Sequence, residues 1–586
     1  MLHRGVSAAM RINRKLLSAL LVDWLLLLTS AVWAEQPQPV RAPHAMVVSV
    51  HQLASQAGVD VMKQGGNAVD AAVAMGFALA VVHPQAGNIG GGGFMLFRRP
   101  NGEVHFLDYR EKAPAAATSK MYLDKNGKVV PNLSTVGYKA MGVPGSVAGM
   151  AFAQKHWGKL PLAKVMAPAI KLAREGFALP ASDAKDLKDE NLSKFPESRR
   201  VFQRDGKFYE SGEVFKQPEL AHTLERIAKN PDDFYHGAIA RELSADMQKG
   251  GGLITAKDLA DYEVKERQPI HGTYRGYDIY SAPPPSSGGI VMMEALNILE
   301  GYPLEKFGRT PEALHLTAEA YRRAFFDRAE FLGDPDFTDL PVAQLTDKKY
   351  GAAWRESMNP QHASVSSDLK RPPEFSQLER YAALHPPAIY ANEPEDTTHY
   401  SVVDPDGAAV AVTTTLNGSF GSFVTAEGLG FLLNNEMDDF ASAPGVPNMY
   451  GLIQGAANAV GPGKRPLSAM TPTIVTKAGK LFLVLGSPGG PTIITTVANA
   501  LMGVVDYGMN IQQAVNAPRY HHQWMPDQLT VEAAFSAEDA LALEKMGHKI
   551  QRRKKWGDAE CIAIHPLTGE RLGASDPRNN GKAIGF

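Results

Sequence analysis

The segment that decides the fold reads Glu395-Asp396-Thr397-Thr398-His399-Tyr400-Ser401-Val402-Val403. Polar residues, prolines and charges precede Thr397, whereas β-branched and aromatic residues follow it. This composition predicts a strand over 400–403, a turn over 404–407 and a returning strand over 408–415. A core hairpin therefore begins abruptly at a hydroxyl side chain.

A threonine at such a boundary can carry a specific chemistry. The Thr397 hydroxyl of an intact chain would attack the carbonyl of Asp396, and hydrolysis of the resulting ester would cut the chain. Cleavage frees the α-amine of Thr397, whose ordinary pKa near 8 lets it serve as the base for its own hydroxyl. Taken alone, the segment also fits an ordinary loop-to-strand boundary. The motifs around it therefore decide whether Thr397 is predicted to be a nucleophile.

Hydrophobic periodicity predicts the elements on either side of the hairpin. A helix is expected over 51–62, and Asn67 is expected to cap a second helix, Ala68–Val82. Val104–Tyr109 is expected to be a strand that ends at Arg110. Further expectations are a mainly helical region over about 145–260, a long helix including 315–331, and a hairpin of strands 473–476 and 481–485.

Composition excludes several classes of function. The chain has 586 residues, a formal net charge of −2 and 44% hydrophobic residues, so it can bury a large core. Its near-neutral charge gives no electrostatic case for binding nucleic acid. Its single cysteine, Cys561, cannot form an internal disulfide. The glycine-rich residues 87–93 fit neither nucleotide-binding pattern, and no zinc-protease or serine-hydrolase motif is present. We expect no metal and no cofactor.

The N-terminus has the pattern of a secretory signal peptide. Four basic residues lead into a mostly apolar run over 16–29, and Val32 and Ala34 place small residues at a cleavage site. Asp23 interrupts the apolar run, which leaves an uncleaved anchor as the alternative. No later segment approaches ~20 apolar residues. We therefore expect residues 1–34 to be removed, no membrane span to remain, and the protein to be periplasmic or secreted.

Several motifs in register resemble the γ-glutamyltransferase family of N-terminal nucleophile hydrolases. The resemblance runs from about residue 44 to the C-terminus. The stretches that carry it are Pro84-Gln85-Ala86-Gly87-Asn88, Tyr109-Arg110-Glu111, Pro144-Gly145-Ser146, the strand from Thr397, Asn434-Asn435-Glu436-Met437-Asp438-Asp439-Phe440, Pro466-Leu467-Ser468 and Gly486-Ser487-Pro488-Gly489-Gly490.

The resemblance implies an α+β fold, a four-layer αββα sandwich built from two subunits of one precursor. The large subunit would span 35–396, with a mobile, exposed C-terminal segment over about 360–396, and the small subunit would span 397–586. The implied reaction moves a γ-glutamyl group from glutathione or a similar donor to Thr397. The group then passes to water or to an amino acid or peptide.

The resemblance also assigns the donor site. A γ-glutamyl donor presents one carboxylate, one ammonium and a distant amide, so its site needs a cation, anions and an oxyanion hole. Arg110 would hold the α-carboxylate through two hydrogen bonds, helped by the hydroxyl of Ser468. Glu436 and Asp439 would face the ammonium, with Asn417 assisting.

The remaining assignments concern the nucleophile and the reacting carbonyl. Thr415 would position the hydroxyl and amine of Thr397. The backbone N–H groups of Gly489 and Gly490 would stabilise the oxyanion, because glycine lets the backbone approach the substrate closely. Tyr450, in a glycine- and proline-rich loop over 444–455 that resembles the family's lid, would close over the substrate.

Two departures from the family pattern bear on selectivity. Ala469 stands where the family usually has a second serine, and Pro491 follows the glycine pair where relatives often have serine. One alternative on the same fold is an acylase for glutaryl amides, including β-lactam side chains. Such an enzyme would not need two acids facing an ammonium. A second alternative is an inactive binding relative. The residues that argue against it are Thr397, Arg110, Asn417, Asp439, Gly489 and Gly490.

Overall fold

The computed structural model describes residues 36–381, 397–442 and 446–586. Four sequence predictions concern positions outside these ranges: the leader 1–34, residues 382–396 of the predicted mobile segment, Asp396 at the predicted cleavage site, and Pro444 and Gly445 of the lid loop. The described elements belong almost entirely to one compact unit that begins at Pro39.

Two seven-stranded antiparallel sheets form the centre of this unit. The strand order in the first sheet is Lys582–Gly585, Met46–Ser49, Thr397–Val403, Ala409–Thr415, Gly92–Arg98, Val104–Tyr109 and Lys265–Arg267. The order in the second sheet is Val40–Ala42, Arg571–Ala574, Cys561–Ile564, Lys480–Leu485, Thr473–Lys477, Tyr277–Ser281 and Ile270–Tyr274. The hairpin predicted from Thr397 thus occupies the middle of the first sheet.

The first sheet is buried on both faces. Successive side chains of a strand point to opposite faces, and alternate residues of Gly92–Arg98 accordingly enter different cores. Phe94 and Leu96 pack in the core shared with the second sheet. Met95 and Phe97 pack in the core shared with the outer helices. Continuous apolar strands of this kind are expected where a sheet is covered on both sides.

Helices cover the outer face of each sheet. Those against the first sheet include Gln52–Lys63, Ala68–Val82, Ser146–Trp157, Leu162–Glu175 and Pro218–Lys229. Those against the second sheet include Gly288–Leu299, Pro311–Phe331 and Thr492–Val505. The result is a four-layer αββα sandwich, which confirms the predicted fold class.

Shorter elements complete the chain. The helices are Ala181–Asp186, Pro196–Phe202, Asp233–His236, Ala238–Gly250, Ala256–Ala260, Leu304–Phe307, Val342–Leu345, Lys348–Glu356, Ile511–Asn516 and Ala537–Lys545. A three-stranded sheet joins Tyr520–His521, Leu529–Glu532 and Ile550–Arg553, and two small strand pairs join Phe177–Ala178 to Val214–Phe215 and Gln203–Arg204 to Lys207–Phe208. The 3-10 turns are Tyr138–Ala140, Glu190–Lys194, Ser366–Asp368, Pro373–Tyr381, Glu436–Asp439 and Ala456–Asn458. Across the described ranges, no helix combines the length and apolar character needed to cross a membrane.

Local sequence patterns set several boundaries correctly. The Asn67 side chain accepts hydrogen bonds from the backbone N–H groups of Val69 and Asp70, so the helix Ala68–Val82 begins where its cap predicts. The strand Val104–Tyr109 also matches its prediction. Pairing with Ala409–Thr415 extends the strand predicted over 400–403 back to Thr397.

The segment expected to be exposed from about residue 360 is mostly exposed over 361–378, and it contacts the body of the protein at a few positions. Ser366 and Leu378 are buried. Arg371 forms ion pairs with Asp327 and Glu330 and places its guanidinium 4.2 Å from the centre of the Phe331 ring. The same polar composition supplies a partner for buried charges of the helix Pro311–Phe331.

Candidate active site

Thr397 and Thr415 are direct partners across the central hairpin. They occupy the same position in the antiparallel register of the strands Thr397–Val403 and Ala409–Thr415. Their hydroxyl oxygens lie 3.3 Å apart, within hydrogen-bonding distance. The Thr415 hydroxyl also accepts a hydrogen bond of 2.8 Å from the backbone N–H of Asn417. The Thr415 hydroxyl is therefore held by the backbone while it contacts the hydroxyl of Thr397.

Thr397 lies at the wall of a cavity of about 320 Å³. The cavity gathers residues from distant parts of the sequence, and nine of the ten residues predicted for catalysis and binding line it. The lining consists of Arg110, Arg328, Thr397, Thr415, Asn417, Glu436, Asp439, Tyr450, Leu452, Leu467, Ser468, Ala469, Met470, Gly490, Pro491 and Ile493. The tenth predicted residue, Gly489, immediately precedes Gly490.

A buried charge cluster forms one end of this cavity. Arg110 follows directly on the strand Val104–Tyr109, and one of its Nη groups pairs with Glu436. The other Nη donates to Oδ2 of Asp439 at 2.5 Å, and Nε donates to the carbonyl of Pro466 at 3.2 Å. Glu436 and Asp439 begin and end one 3-10 turn, so their three-residue spacing directs both carboxylates to one guanidinium.

Glu111 is part of the motif Tyr109-Arg110-Glu111, but no role for it was predicted from the sequence. Glu111 is fully buried, its carboxylate lies 3.7 Å from Arg110, and neither of its oxygens makes a hydrogen bond within the described residues. Burial raises the pKa of Glu111 to about 7, and burial also raises the pKa of Glu436 well above its usual range. Burial of Glu111 and Glu436 around one guanidinium therefore disfavours the ionised form of both carboxyl groups.

The same carboxylates keep Arg110 charged. Burial alone would lower the pKa of the guanidinium, but Glu436, Asp439 and Glu111 together raise it above its ordinary value. A guanidinium has five N–H donors. The close contacts with Glu436, Asp439 and the Pro466 carbonyl use three of these donors, which leaves donor capacity that can face a ligand in the cavity.

Asn417 and Tyr450 form the opposite wall. Asn417 has a left-handed backbone conformation, with φ of 79°, which asparagine tolerates better than most residues. The Tyr450 hydroxyl donates to the Asn417 backbone carbonyl at 2.7 Å and lies 2.8 Å from the Asn417 side-chain oxygen. The described part of the predicted lid is thus tied to the cavity by its tyrosine.

Ser468 and Ala469 line the cavity beside the charge cluster. The Ser468 hydroxyl oxygen accepts a hydrogen bond of 3.0 Å from the backbone N–H of Met470, as a turn serine does. Its hydrogen is free to point elsewhere because an acceptor role uses only a lone pair. Ala469 presents a methyl group to the cavity, so this position supplies no hydrogen-bond donor from its side chain.

Gly489, Gly490 and Pro491 lead into the helix Thr492–Val505. Neither glycine N–H donates a hydrogen bond to another described residue, so both remain available to an oxyanion. Gly490 has φ of 53°, and a Cβ there would press against the ring of Tyr450 at 3.1 Å. The start of a 14-residue helix adds partial positive charge in the same place.

Arg328 was not identified from the sequence. It lies in the buried helix Pro311–Phe331 and lines the cavity, and its Nε donates to the Ser287 hydroxyl at 2.8 Å. One Nη group has no hydrogen-bond partner among the described residues. Burial lowers the pKa of Arg328 to about 10, and Asp439 partly opposes that change. An arginine within an otherwise apolar helical face was the pattern that could have revealed it.

Tight packing around the hairpin explains the remaining motifs. A side chain at Gly91 would collide with the carbonyl of Thr415, so the glycine run brings a loop against the site rather than binding a nucleotide. His399 is buried between the hydroxyls of Thr413 and Ser401, at 2.9 Å and 3.1 Å. Burial lowers the pKa of His399 to about 3, which keeps it neutral. It is a packed histidine.

Two facing antiparallel sheets between helical layers, with a threonine hydroxyl beginning a central strand at a cavity, define the N-terminal nucleophile hydrolase class. A family model described as gamma-glutamyltranspeptidase matches residues 54–586. The chain belongs to the γ-glutamyltranspeptidase family.

Similar proteins cover nearly the whole chain. The glutathione hydrolase proenzyme of Escherichia coli K12 is 50% identical over 546 residues, which are 92% of this chain and 91% of that protein. The glutathione hydrolase proenzyme of Pseudomonas sp. strain A14 is 47% identical over 590 residues, 98% of this chain and 100% of that protein. The crystal structure of cephalosporin acylase from Bacillus halodurans matches with a TM-score of 0.81 and 30% identity, covering 94% of this chain and 97% of that one.

Proposed function

We propose that this protein is a self-processing γ-glutamyltransferase and glutathione hydrolase. The observation that carries the proposal is the placement of the Thr397 hydroxyl in the cavity that ends in Arg110, Glu436 and Asp439. A nucleophile at one end and a cluster of one cation with several carboxylates at the other match the two ends of a γ-glutamyl donor. Both curated relatives described above are named glutathione hydrolase proenzymes.

The donor's charged end binds in the cluster. Its α-carboxylate accepts hydrogen bonds from Arg110 and from the Ser468 hydroxyl, and its ammonium lies against the carboxylates of Glu436 and Asp439, with Asn417 beside them. The zwitterion replaces part of the existing pairing between Arg110 and the two acids. This exchange keeps every buried charge paired, which avoids the large cost of an isolated buried ion.

The reaction then proceeds through an ester. The free α-amine of Thr397 accepts the proton of the Thr397 hydroxyl, whose oxygen attacks the γ-carbonyl carbon. The N–H groups of Gly489 and Gly490 stabilise the oxyanion, aided by the start of the helix Thr492–Val505. The leaving amine departs with the proton held by the α-amine. Water or an acceptor amine then opens the γ-glutamyl-Thr397 ester, and Thr415 keeps the hydroxyl oriented in each step.

The α-amine must first be released by cleavage of the bond between Asp396 and Thr397. The same hydroxyl attacks the Asp396 carbonyl, and water hydrolyses the resulting ester to give a large subunit over 35–396 and a small subunit over 397–586. The leader 1–34 directs export to the periplasm or the medium and is removed. No metal or cofactor takes part in either reaction.

Intact-mass measurement of purified protein tests the proposal. The wild type is expected to give two chains, the smaller matching residues 397–586, whereas Thr397→Ala gives one chain and releases no γ-glutamyl product. Thr397→Ser is the matched control, since it keeps a hydroxyl and an α-amine and is expected to split. A Thr397→Ala chain that still splits at this bond would refute the assignment of the nucleophile.

The glutaryl acylase alternative is favoured by the similarity to the Bacillus halodurans structure, whose name is cephalosporin acylase. The charge cluster argues against it, because a glutaryl group has no ammonium to occupy the space beside Glu436 and Asp439. Release of nitroaniline from γ-glutamyl and glutaryl p-nitroanilides, measured side by side, distinguishes the two activities. The proposal predicts a clear preference for the γ-glutamyl compound.

A further inference from the structure

Arg328 is a buried cation without a matching anion. Its side chain is fully buried in the helix Pro311–Phe331, and its Nε donates to the Ser287 hydroxyl, which is a neutral acceptor. Within the described residues, Arg328 forms no ion pair, and one of its Nη groups has no hydrogen-bond partner. A buried charge is costly unless it is paired and its donors are satisfied. The guanidinium is therefore prepared to receive an anion that does not belong to the chain.

The acids next to Arg328 in the helix have another partner. Asp327 and Glu330 both form ion pairs with Arg371. Asp327 also accepts a hydrogen bond of 2.6 Å from the Tyr350 hydroxyl. These contacts occupy the two neighbouring carboxylates on groups other than Arg328. The side of Arg328 that lines the 320 Å³ cavity is therefore the side from which an anion can reach it.

The cavity that holds the charge cluster contains both Arg110 and Arg328 in its wall. Glu436 and Asp439 pair with Arg110. Asp439 also acts on Arg328, because its charge favours the charged form of that guanidinium. Burial nevertheless lowers the pKa of Arg328 to about 10, so Arg328 is still a cation at neutral pH. The cavity thus offers two guanidinium groups, of which one is already paired with carboxylates of the chain.

Hydrogen bonds fix Arg328 to the segment that carries Ser468. The Ser287 hydroxyl accepts from Nε of Arg328 and donates to the Ser468 carbonyl at 2.7 Å. The Ser287 backbone N–H donates to the same carbonyl at 2.8 Å, and the Ser468 N–H donates to the carbonyl of Pro285 at 2.8 Å. The guanidinium and the Ser468 hydroxyl are thus held by one hydrogen-bonded unit. The next residue, Ala469, lines the cavity without a side-chain donor, so Arg328 supplies donors where that position has none.

We propose that Arg328 is a second carboxylate-binding residue of the donor site, whose free N–H groups bind the α-carboxylate of the donor together with Arg110 and Ser468. This inference rests on the proposed γ-glutamyl transfer and identifies a residue that selects its donors. A carboxylate that binds Arg110 displaces part of the pairing with Glu436 and Asp439. A carboxylate that binds Arg328 displaces no ion pair, because this cation has none among the described residues. The preference for donors with an α-carboxylate therefore depends on Arg328.

Three p-nitroanilide donors separate the two charges of the substrate. The γ-glutamyl compound has both the carboxylate and the ammonium, the glutaryl compound lacks the ammonium, and the 4-aminobutanoyl compound lacks the carboxylate. Arg328→Met is expected to raise the KM of the first two at least tenfold, the effect of one charge-assisted hydrogen bond. The KM of the 4-aminobutanoyl compound is expected not to rise. If this compound is cleaved too slowly, its Ki against the γ-glutamyl compound replaces its KM.

Ser287→Ala is the matched control for a purely structural role. It removes the hydroxyl that links Arg328 to Ser468 but keeps the guanidinium, so the KM values are expected to change less than threefold. Intact mass shows whether each variant still gives two chains. If Arg328→Met does not, Arg328→Lys is measured in its place. Lysine keeps the charge but loses the planar set of donors, and it is expected to raise the KM of both carboxylate donors at least threefold.

The results that overturn the inference are specific to the carboxylate. An equal change in KM for all three donors in the Arg328 variant shows that this residue does not recognise the carboxylate. A change in Ser287→Ala as large as that in the Arg328 variant shows that Arg328 only supports the Ser468 segment. A wild type that does not release nitroaniline from the γ-glutamyl compound refutes the proposed function instead.

Discussion

Replacement of Arg110 by lysine tests the donor site most directly. Lysine keeps the positive charge, so Glu436 and Asp439 retain a cation. Removing the charge altogether, as in Arg110→Met, would leave buried carboxylates unpaired at a cost of about 3–5 kcal/mol. The effect on donor binding could then not be separated from the effect on folding. A lysine ammonium lacks the planar arrangement of N–H donors of a guanidinium, however, and so cannot bind a carboxylate through two parallel hydrogen bonds.

The expected magnitude follows from the contacts. Arg110 now reaches Glu436, Asp439 and the Pro466 carbonyl from three different nitrogens. A single ammonium serving the same partners loses one charge-assisted bond to the donor, which is worth about 1.5–3 kcal/mol. That energy corresponds to an increase in the donor KM of about 10- to 100-fold. Because the contact is remote from the reacting carbonyl, kcat should change by less than about threefold.

Initial rates with γ-glutamyl and glutaryl p-nitroanilides provide the measurement. Both donors carry the carboxylate, so Arg110→Lys should raise both KM values by a similar factor. Arg465→Lys is the matched control, because Arg465 is a buried arginine paired with Asp108 that does not line the cavity. If the KM of Arg110→Lys stays within twofold of the wild type, Arg110 does not bind the donor carboxylate.

Three further predictions concern neighbouring groups. Asp439→Asn should lower kcat/KM for the γ-glutamyl anilide at least tenfold more than for the glutaryl anilide, because only the former has an ammonium to lose a partner. Ala469→Ser should lower the donor KM about two- to fivefold by adding a hydroxyl beside the carboxylate, and an unchanged or higher KM would contradict this. Glu111→Gln should stabilise the protein more at pH 8 than at pH 5. Burial raises the pKa of Glu111 to about 7, so the folded wild type binds a proton that the unfolded chain releases above about pH 4.5, and stability falls through this window. The melting temperatures of the wild type and Glu111→Gln at the two pH values measure this difference in stability. An equal change in melting temperature at both pH values would be inconsistent with a titrating Glu111.

Local sequence patterns predicted much of the fold. The cap at Asn67, the strand Val104–Tyr109 and the hairpin around the turn at 404–407 depend on neighbouring residues, whose backbone preferences and periodicity are visible in the sequence. The four-layer arrangement came from the resemblance to a family. Composition predicted exposure over 361–378, where most residues are exposed, but it did not reveal that Arg371 pairs with charges of the distant helix Pro311–Phe331.

The candidate site was predicted as a set of residues but not as an arrangement. Family motifs named Arg110 and Asp439, yet these residues are separated by 329 positions, and only the packed sheets bring them into contact. No role for Arg328 or Glu111 was predicted, since the importance of each comes from burial beside other charges.

The sequence by itself determined where the strands and helices begin, which threonine starts the central strand, and which chemical groups the chain can offer. The tertiary structure decided which of these groups share a cavity and which carboxyls compete for one guanidinium. The reason is physical. Backbone conformation responds to the nearest few residues, whereas burial, charge pairing and cavity shape depend on groups that approach one another only when the layers pack.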